Sequence, residues 1–247
     1  MRNLIKYIRD VKNITKTSMI RDGFTDYYYN KLENNCEEAT LYDLKIILNK
    51  FGIELDEFIY LYQREYNLKQ YNRSYNKNII KNEELRKKLY DAVYYINNNQ
   101  FDIAQNKLKE IWDSISENND YFATDLFLLS HCFIIFSPDN NNFYIKLLED
   151  NFPFWREYND FIRIEINFYL NIGRYMLEHD PYNKDVIKYY KKAYKLSQEY
   201  NIGDLTGVSL IRLGAYKNDK NLIEDGKKLL SIFNKKLLDI ECEDLKI

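Results

Sequence analysis

Apolar residues along the first third of the chain recur at intervals of three and four, the spacing that lines one face of an α-helix. Leu4, Ile5, Ile8 and Val11 form such a face, with Lys6, Arg9 and Lys12 around the solvated side, where they can touch phosphate. A short second helix is expected over residues 15–21. Thr15 and Thr17 lie near its start, where free backbone N–H groups can meet a phosphate oxygen. Gly23 makes a turn, and Thr25 caps a third helix that carries Tyr27, Tyr28 and Tyr29. Asn34-Asn35 ends that helix, because Asn tolerates the left-handed backbone of a helix end and Cys36-Glu37-Glu38 brings no apolar stripe. Leu41, Leu44, Ile47, Leu48 and Phe51 then define a fourth helix, and the stretch from Leu55 continues helically. Four or five short helices in so few residues are the footprint of a helix-turn-helix head, placed at residues 1–66.

Residues 67–78, NLKQYNRSYNKN, are polar and lack apolar periodicity, which makes them the linker. The remaining chain, 79–247, reads as helical throughout. Leu85, Leu89, Val93 and Ile96 share one face, and Ile103, Leu108, Ile111 and Ile115 share another in part. Three segments align as a weak internal repeat, beginning at Asp102, Asp185 and Asn221, each opening on a residue that can cap a helix. The last two are about 36 residues apart, near the roughly 34 of a tetratricopeptide repeat. The expectation is a degenerate helical-hairpin array, with an irregular helical domain as the alternative.

Composition narrows the picture. Seven Gly and three Pro in 247 residues leave long helices uninterrupted and starve an all-β fold of turns, so the fold class is all-α. Net charge is −2, and acidic and basic residues interleave in the head. Phosphate contacts supply most non-specific DNA affinity, so a near-neutral head binds weakly as a monomer and calls for a homodimer. The same balance excludes a purely electrostatic nucleic-acid sponge. Cys36, Cys132 and Cys242 form no C-x-x-C pair, and nothing suggests a metal site or a cofactor. The start lacks the apolar core of a signal peptide, and no apolar run reaches the roughly 18 residues of a membrane span. A cytoplasmic location without membrane association is expected. With His131 and His179 as the two histidines, and no hydrolase, P-loop or dinucleotide motif, no catalytic machinery is expected either.

The order of motifs in the head resembles the Rgg/GadR/MutR transcriptional regulators. The resemblance is carried by the capped helix from Thr25 through Leu32-Glu33, by LKIILNKF at 44–51 against a pattern L-x-x-L-L-x-K-L, and by IELDEF at 53–58. It implies a homodimeric, cytoplasmic regulator that binds double-stranded DNA. In that pattern Tyr29 and Leu32 face inward, leaving Tyr27, Tyr28, Asn30 and Lys31 for the major groove, with Thr17 and Thr25 near phosphate. Asn can pair with adenine, Lys with guanine, and Tyr can reach phosphate or a thymine methyl. Family members carry Ser, Gln and Arg along this helix, so the target sequence is not carried over. The alternative is that the tyrosines pack the domain.

The C-terminal region of the family implies a concave groove that holds a short linear peptide. Inner helices are expected at 122–136, 161–178 and 205–216. The groove residues are then Phe127 and His131 on the first, and Asn167, Asn171, Arg174 and Tyr175 on the second. An Asn side chain offers both a donor and an acceptor to an extended peptide backbone. Solvation or helix packing is the competing reading for the two asparagines, and a satisfied core histidine for His131. His179 suits a helix C-terminus. Dimerisation through residues 222–238 is implied by the resemblance alone. The competing class is a helical-repeat scaffold for protein partners whose head no longer binds DNA.

Overall fold

The computed structural model describes residues 3–21, 23–65, 83–137 and 141–245, so the expected linker at 67–78 lies outside the described residues. Among them every regular element is helical and no strand occurs, and no helix is long and apolar enough to cross a membrane. The fold is all-α. The chain divides into two compact units, Met1–Ile135 and Phe136–Ile247.

The first unit contains α1 (Leu4–Val11), α2 (Lys16–Arg21), α3 (Asp26–Asn34), α4 (Leu41–Phe51), α5 (Leu55–Glu65), α6 (Glu83–Asn97), α7 (Phe101–Ile115) and α8 (Ala123–Leu129). It therefore joins the five helices expected of the head to the first helices expected of the body. Leu4, Ile5, Ile8 and Val11 are all buried, as the α1 pattern requires. Arg9 and Lys12, placed by the sequence on the solvated side, instead face inward. Arg9 Nε donates to Glu33 at 2.5 Å, and Lys12 Nζ to Asp125 at 2.6 and 2.7 Å. The helix is too short to keep its cations clear of the neighbours that cover it.

Thr40 and Asp43 form a reciprocal capping box at the start of α4, and Gly52 closes it in the left-handed region at φ 67°. Four expectations fail locally. Asn35 ends α3 in extended backbone, φ −144°, because a 3₁₀ turn at Cys36–Glu38 follows at once. Leu41 is 70% exposed, its first turn of α4 turning Asp43 inward instead. Val93 and Ile103 are exposed, and Ala92 and Ala104 take the buried positions beside them.

The expected inner helix at 122–136 is broken. α8 ends at Leu129 and a 3₁₀ turn covers Cys132–Ile135. The Ser130 hydroxyl donates to the Phe127 carbonyl at 2.7 Å, and His131 Nδ1 lies 2.9 Å from the same oxygen. With that acceptor occupied by side chains, His131 N–H bonds to Leu128, three residues back.

The second unit contains α9 (Asn142–Trp155), α10 (Phe161–His179), α11 (Val186–Glu199), α12 (Gly203–Lys217), α13 (Lys220–Phe233) and α14 (Lys235–Leu245). Consecutive helices from α10 to α13 pack on one another. Tyr144, Phe152, Phe161 and Phe168 fill an aromatic core. Ion pairs join several of these helices, two of them forked and largely buried. Arg156 forks onto the fully buried Glu165 at 2.6 and 2.7 Å, and Arg212 forks onto Glu241 at 2.9 and 2.6 Å while donating to the Leu170 carbonyl at 3.0 Å. The cap of α13 is Asp219, which accepts from the N–H groups of Asn221 and Leu222, rather than Asn221 itself. Likewise α7 begins after Gln100, and neither Asp102 nor Asp185 makes a side-chain cap.

The approach of α12 to α13 is set by glycine. A Cβ on Gly226 would stand 2.6 Å from the Gly207 carbonyl oxygen, and one on Gly207 would stand 3.0 Å from that of Gly226. Backbone cannot retreat as a side-chain tip can. Gly226→Ala is therefore expected to destabilise the chain by about 1–3 kcal/mol, the usual cost of overpacking. An unshifted urea midpoint would show that the two helices separate freely.

Candidate functional site

The turn between α2 and α3 runs through Gly23 at φ 110°, a conformation strained for any side chain. Thr25 caps α3, its hydroxyl accepting the Tyr28 N–H at 3.2 Å. Tyr29 and Leu32 are fully buried, and Phe24 packs against Tyr29 with ring centroids 5.7 Å apart. That seating fixes the rotation of α3 and decides which side chains point out. Tyr27 is 80% exposed and is the most open aromatic of the helix.

The other outward residues are engaged locally. The Tyr28 hydroxyl donates to Asp43 Oδ2 at 2.7 Å, a bond that pushes the phenol above its usual range. Burial works against the Asp43 carboxylate, but bonds from Thr40 and Tyr28 outweigh it and hold its carboxyl below the ordinary value. Asn30 Nδ2 reaches Asp26 at 3.3 Å, and Lys31 pairs with Glu38. That pairing raises Lys31 and lowers Glu38. Thr17 is exposed on the short α2, whose first turn is capped by Thr15, accepting from Ser18 N–H at 3.2 Å. Elsewhere on the head Lys6 and Lys45 are exposed.

The residues expected to line a groove fall in both units. In the first, the Phe127 and His131 rings meet at a tilt with centroids 4.8 Å apart, and His131 Nδ1 lies against the Phe127 carbonyl. Burial pushes the half-buried His131 imidazole below its usual range against the pull of that carbonyl. In the second, Asn167 is exposed and Asn171, one turn on, half-buried on the same helix. Arg174 is tied to Glu178 at 2.9 Å and to Asp244 at 2.8 Å. Tyr175 is buried and donates to the Phe136 carbonyl at 2.7 Å. His179 Nδ1 lies 2.9 Å from the Tyr175 carbonyl at the end of α10.

One group passed unnoticed in the sequence. Glu57, inside the IELDEF stretch, is fully buried. Its signal was legible in the spacing, since Ile53, Glu57 and Leu61 stand four apart and place a carboxyl among inward apolar positions. Among the described residues no group of three or more His, Cys, Asp and Glu is placed to hold a metal ion. No protein-family model, curated protein or solved structure matches the chain.

The Tyr175 hydroxyl ties α10 to the Phe136 carbonyl through a part-buried hydrogen bond. Tyr175→Phe is expected to lower stability by about 1 kcal/mol while preserving the far-ultraviolet helix signal. A variant as stable as the parent would free that hydroxyl for a ligand.

Proposed function

We propose that the chain is a DNA-binding transcription regulator that acts as a homodimer, reading DNA through α3 and responding to a short linear peptide held by the helices of the second unit. The observation that carries this reading is the seating of α3: a threonine-capped helix following a glycine turn, locked by Tyr29 and Leu32, with Tyr27 projecting into solvent. Short helices of that kind present N-terminal side chains to base edges and a positive N-terminal pole to phosphate. Asn167 and Asn171, outward on α10, are the groups best suited to bond an extended peptide backbone. The repeat-like succession of α10 to α13 supports a helical-hairpin body of the tetratricopeptide kind. The resemblance to the Rgg/GadR/MutR regulators supports the same assignment. A peptide that favours one arrangement of the two protomers would shift the spacing of their reading helices against half-sites about one helical turn apart.

A second reading is a scaffold for protein partners. It is favoured by the local pairing on α3, where Lys31 meets Glu38 and Tyr28 meets Asp43, which leaves fewer groups for phosphate.

Retention on DNA from the chain's own upstream region, followed against salt, separates the two. Tyr27→Ala with Lys31→Ala removes exposed groups without touching the core. It is expected to weaken retention at least tenfold and to flatten the salt slope by about one unit for the lost lysine. Equal and negligible retention by parent and variant would favour the scaffold.

A further inference from the structure

Glu57 lies on α5 one turn after Ile53, and its side chain has no exposed surface. Its Oε1 accepts the Thr124 N–H at 3.3 Å, and its Oε2 accepts the Thr124 hydroxyl at 3.1 Å. A carboxyl from α5 thus grips the first turn of α8. The Glu54 N–H reaches Oε2 at 3.4 Å from within the same helix. One residue along α8, Asp125 takes both bonds from Lys12 of α1 and accepts the Phe122 N–H at 3.2 Å. At the same end of α1, the Tyr7 hydroxyl donates to Asp120 at 2.8 Å. One lysine therefore faces two carboxyl groups, and it is committed to Asp125. Among the described residues no ion pair reaches Glu57.

We propose that Glu57 and Thr124 form a proton-controlled latch between α5 and α8, closed while the Glu57 carboxyl is protonated and loosened when it ionises. The Thr124 hydroxyl serves both states, since it accepts from the protonated carboxyl and donates to the carboxylate. What changes is charge. An ionised Glu57 is a desolvated anion beside Asp125 with Lys12 already engaged, and such a group is costly to keep inside. A cavity of about 260 Å³ lined in part by Lys12, Thr124 and Asp125, with Lys50 and Lys88 on its other walls, brings open space to the groups around Glu57. Thr124 and Asp125, in the first turn of α8, already line that space, so opening the latch brings Glu57 toward it. Burial and the Asp125 charge push the Glu57 carboxyl up to about 7, against the pull of Lys12 and Thr124. Latch control therefore falls in the pH range where cells vary. The inference is independent of whether α3 reads DNA.

The folded chain keeps a proton that the unfolded chain has already released above the ordinary glutamate value. The stability it confers is present at low pH and is lost as pH rises through about 7. Between pH 6 and pH 8 this amounts to about a tenfold fall in the folding equilibrium constant. His131, held below its ordinary value, acts in the opposite direction, losing stability as pH falls through the unfolded histidine value. That contribution is common to the parent and to any Glu57 variant, so it cancels in their difference.

Urea unfolding of the full chain and of Glu57→Gln at pH 6 and pH 8 tests the latch. Gln keeps the acceptor for Thr124 and cannot ionise. The ratio of folding constants, variant over parent, is expected to rise about tenfold between the two pH values. A constant ratio overturns the proposal. If Glu57→Gln does not fold, hydrogen exchange of the parent decides instead, because protection of the α8 amides relative to those of α12 should drop at pH 8. Equal relative protection at both pH values overturns the proposal as firmly.

Discussion

A carboxylate leaves water only if a cation or a set of N–H donors goes with it. This chain, three-tenths charged, joins its helices by that rule. Arg9 with Glu33 fastens α1 to α3, and Lys12 with Asp125 fastens α1 to α8. Arg156 with Glu165 fastens the end of α9 to α10, and Arg212 with Glu241 fastens α12 to α14. Each pair is largely buried and links residues that apolar packing alone would leave free to slide. Leucine and isoleucine interdigitate between helices but tolerate volume-conserving shifts, whereas a forked arginine on a carboxylate adds a directional contact that fits in one place. Removing one partner would strand a charge in the interior, so the joints hold by what their loss would cost as much as by what they gain.

The same rule shapes the surface that the proposed regulator offers to DNA. Arg9 on α1 and Lys12 at its C-terminal cap are spent inside the first unit, and Lys31 on α3 is shared with Glu38. What remains outward on α3 is a phenol, Tyr27, on a helix whose N-terminus is capped by Thr25. In that proposal, affinity from such a face would come less from ion pairing with phosphate than from a helix end and a planar side chain near the groove. Two copies held together would then be needed to add up to useful binding. Glu57 belongs to the same pattern, since among the described residues no ion pair reaches it and burial raises its carboxyl above the ordinary value.

Much of the helical layout was legible because periodicity reports directly on burial. The inward face of α1 follows from apolar spacing and the Thr25 cap from residue type, whereas the inward placement of Tyr29 and Leu32 and the helices expected at 161–178 and 205–216 rest on the resemblance. The failures share a cause. Leu41, Val93 and Ile103 have the right spacing but are exposed, and sequence spacing carries no information on what lies opposite. Sequence spacing likewise names no partner for Arg174 and Tyr175, expected beside Asn171 on a groove face. In the structure their polar ends are taken by Asp244 and by the Phe136 carbonyl, partners distant in sequence. The break after α8 was hidden by the apolar run that contains it, where Ser130 and His131 compete for the Phe127 carbonyl.

The central claim is that buried ion pairs, rather than apolar contact alone, fix how the helices of each unit join. A double-mutant cycle on Lys12 and Asp125, using Lys12→Met, Asp125→Asn and the pair together in urea unfolding, measures this directly. The expected result is a coupling well above the roughly 0.2–1 kcal/mol of an exposed pair, with each single variant destabilised more than the double. Additive losses, with no coupling between the two sites, would contradict the account.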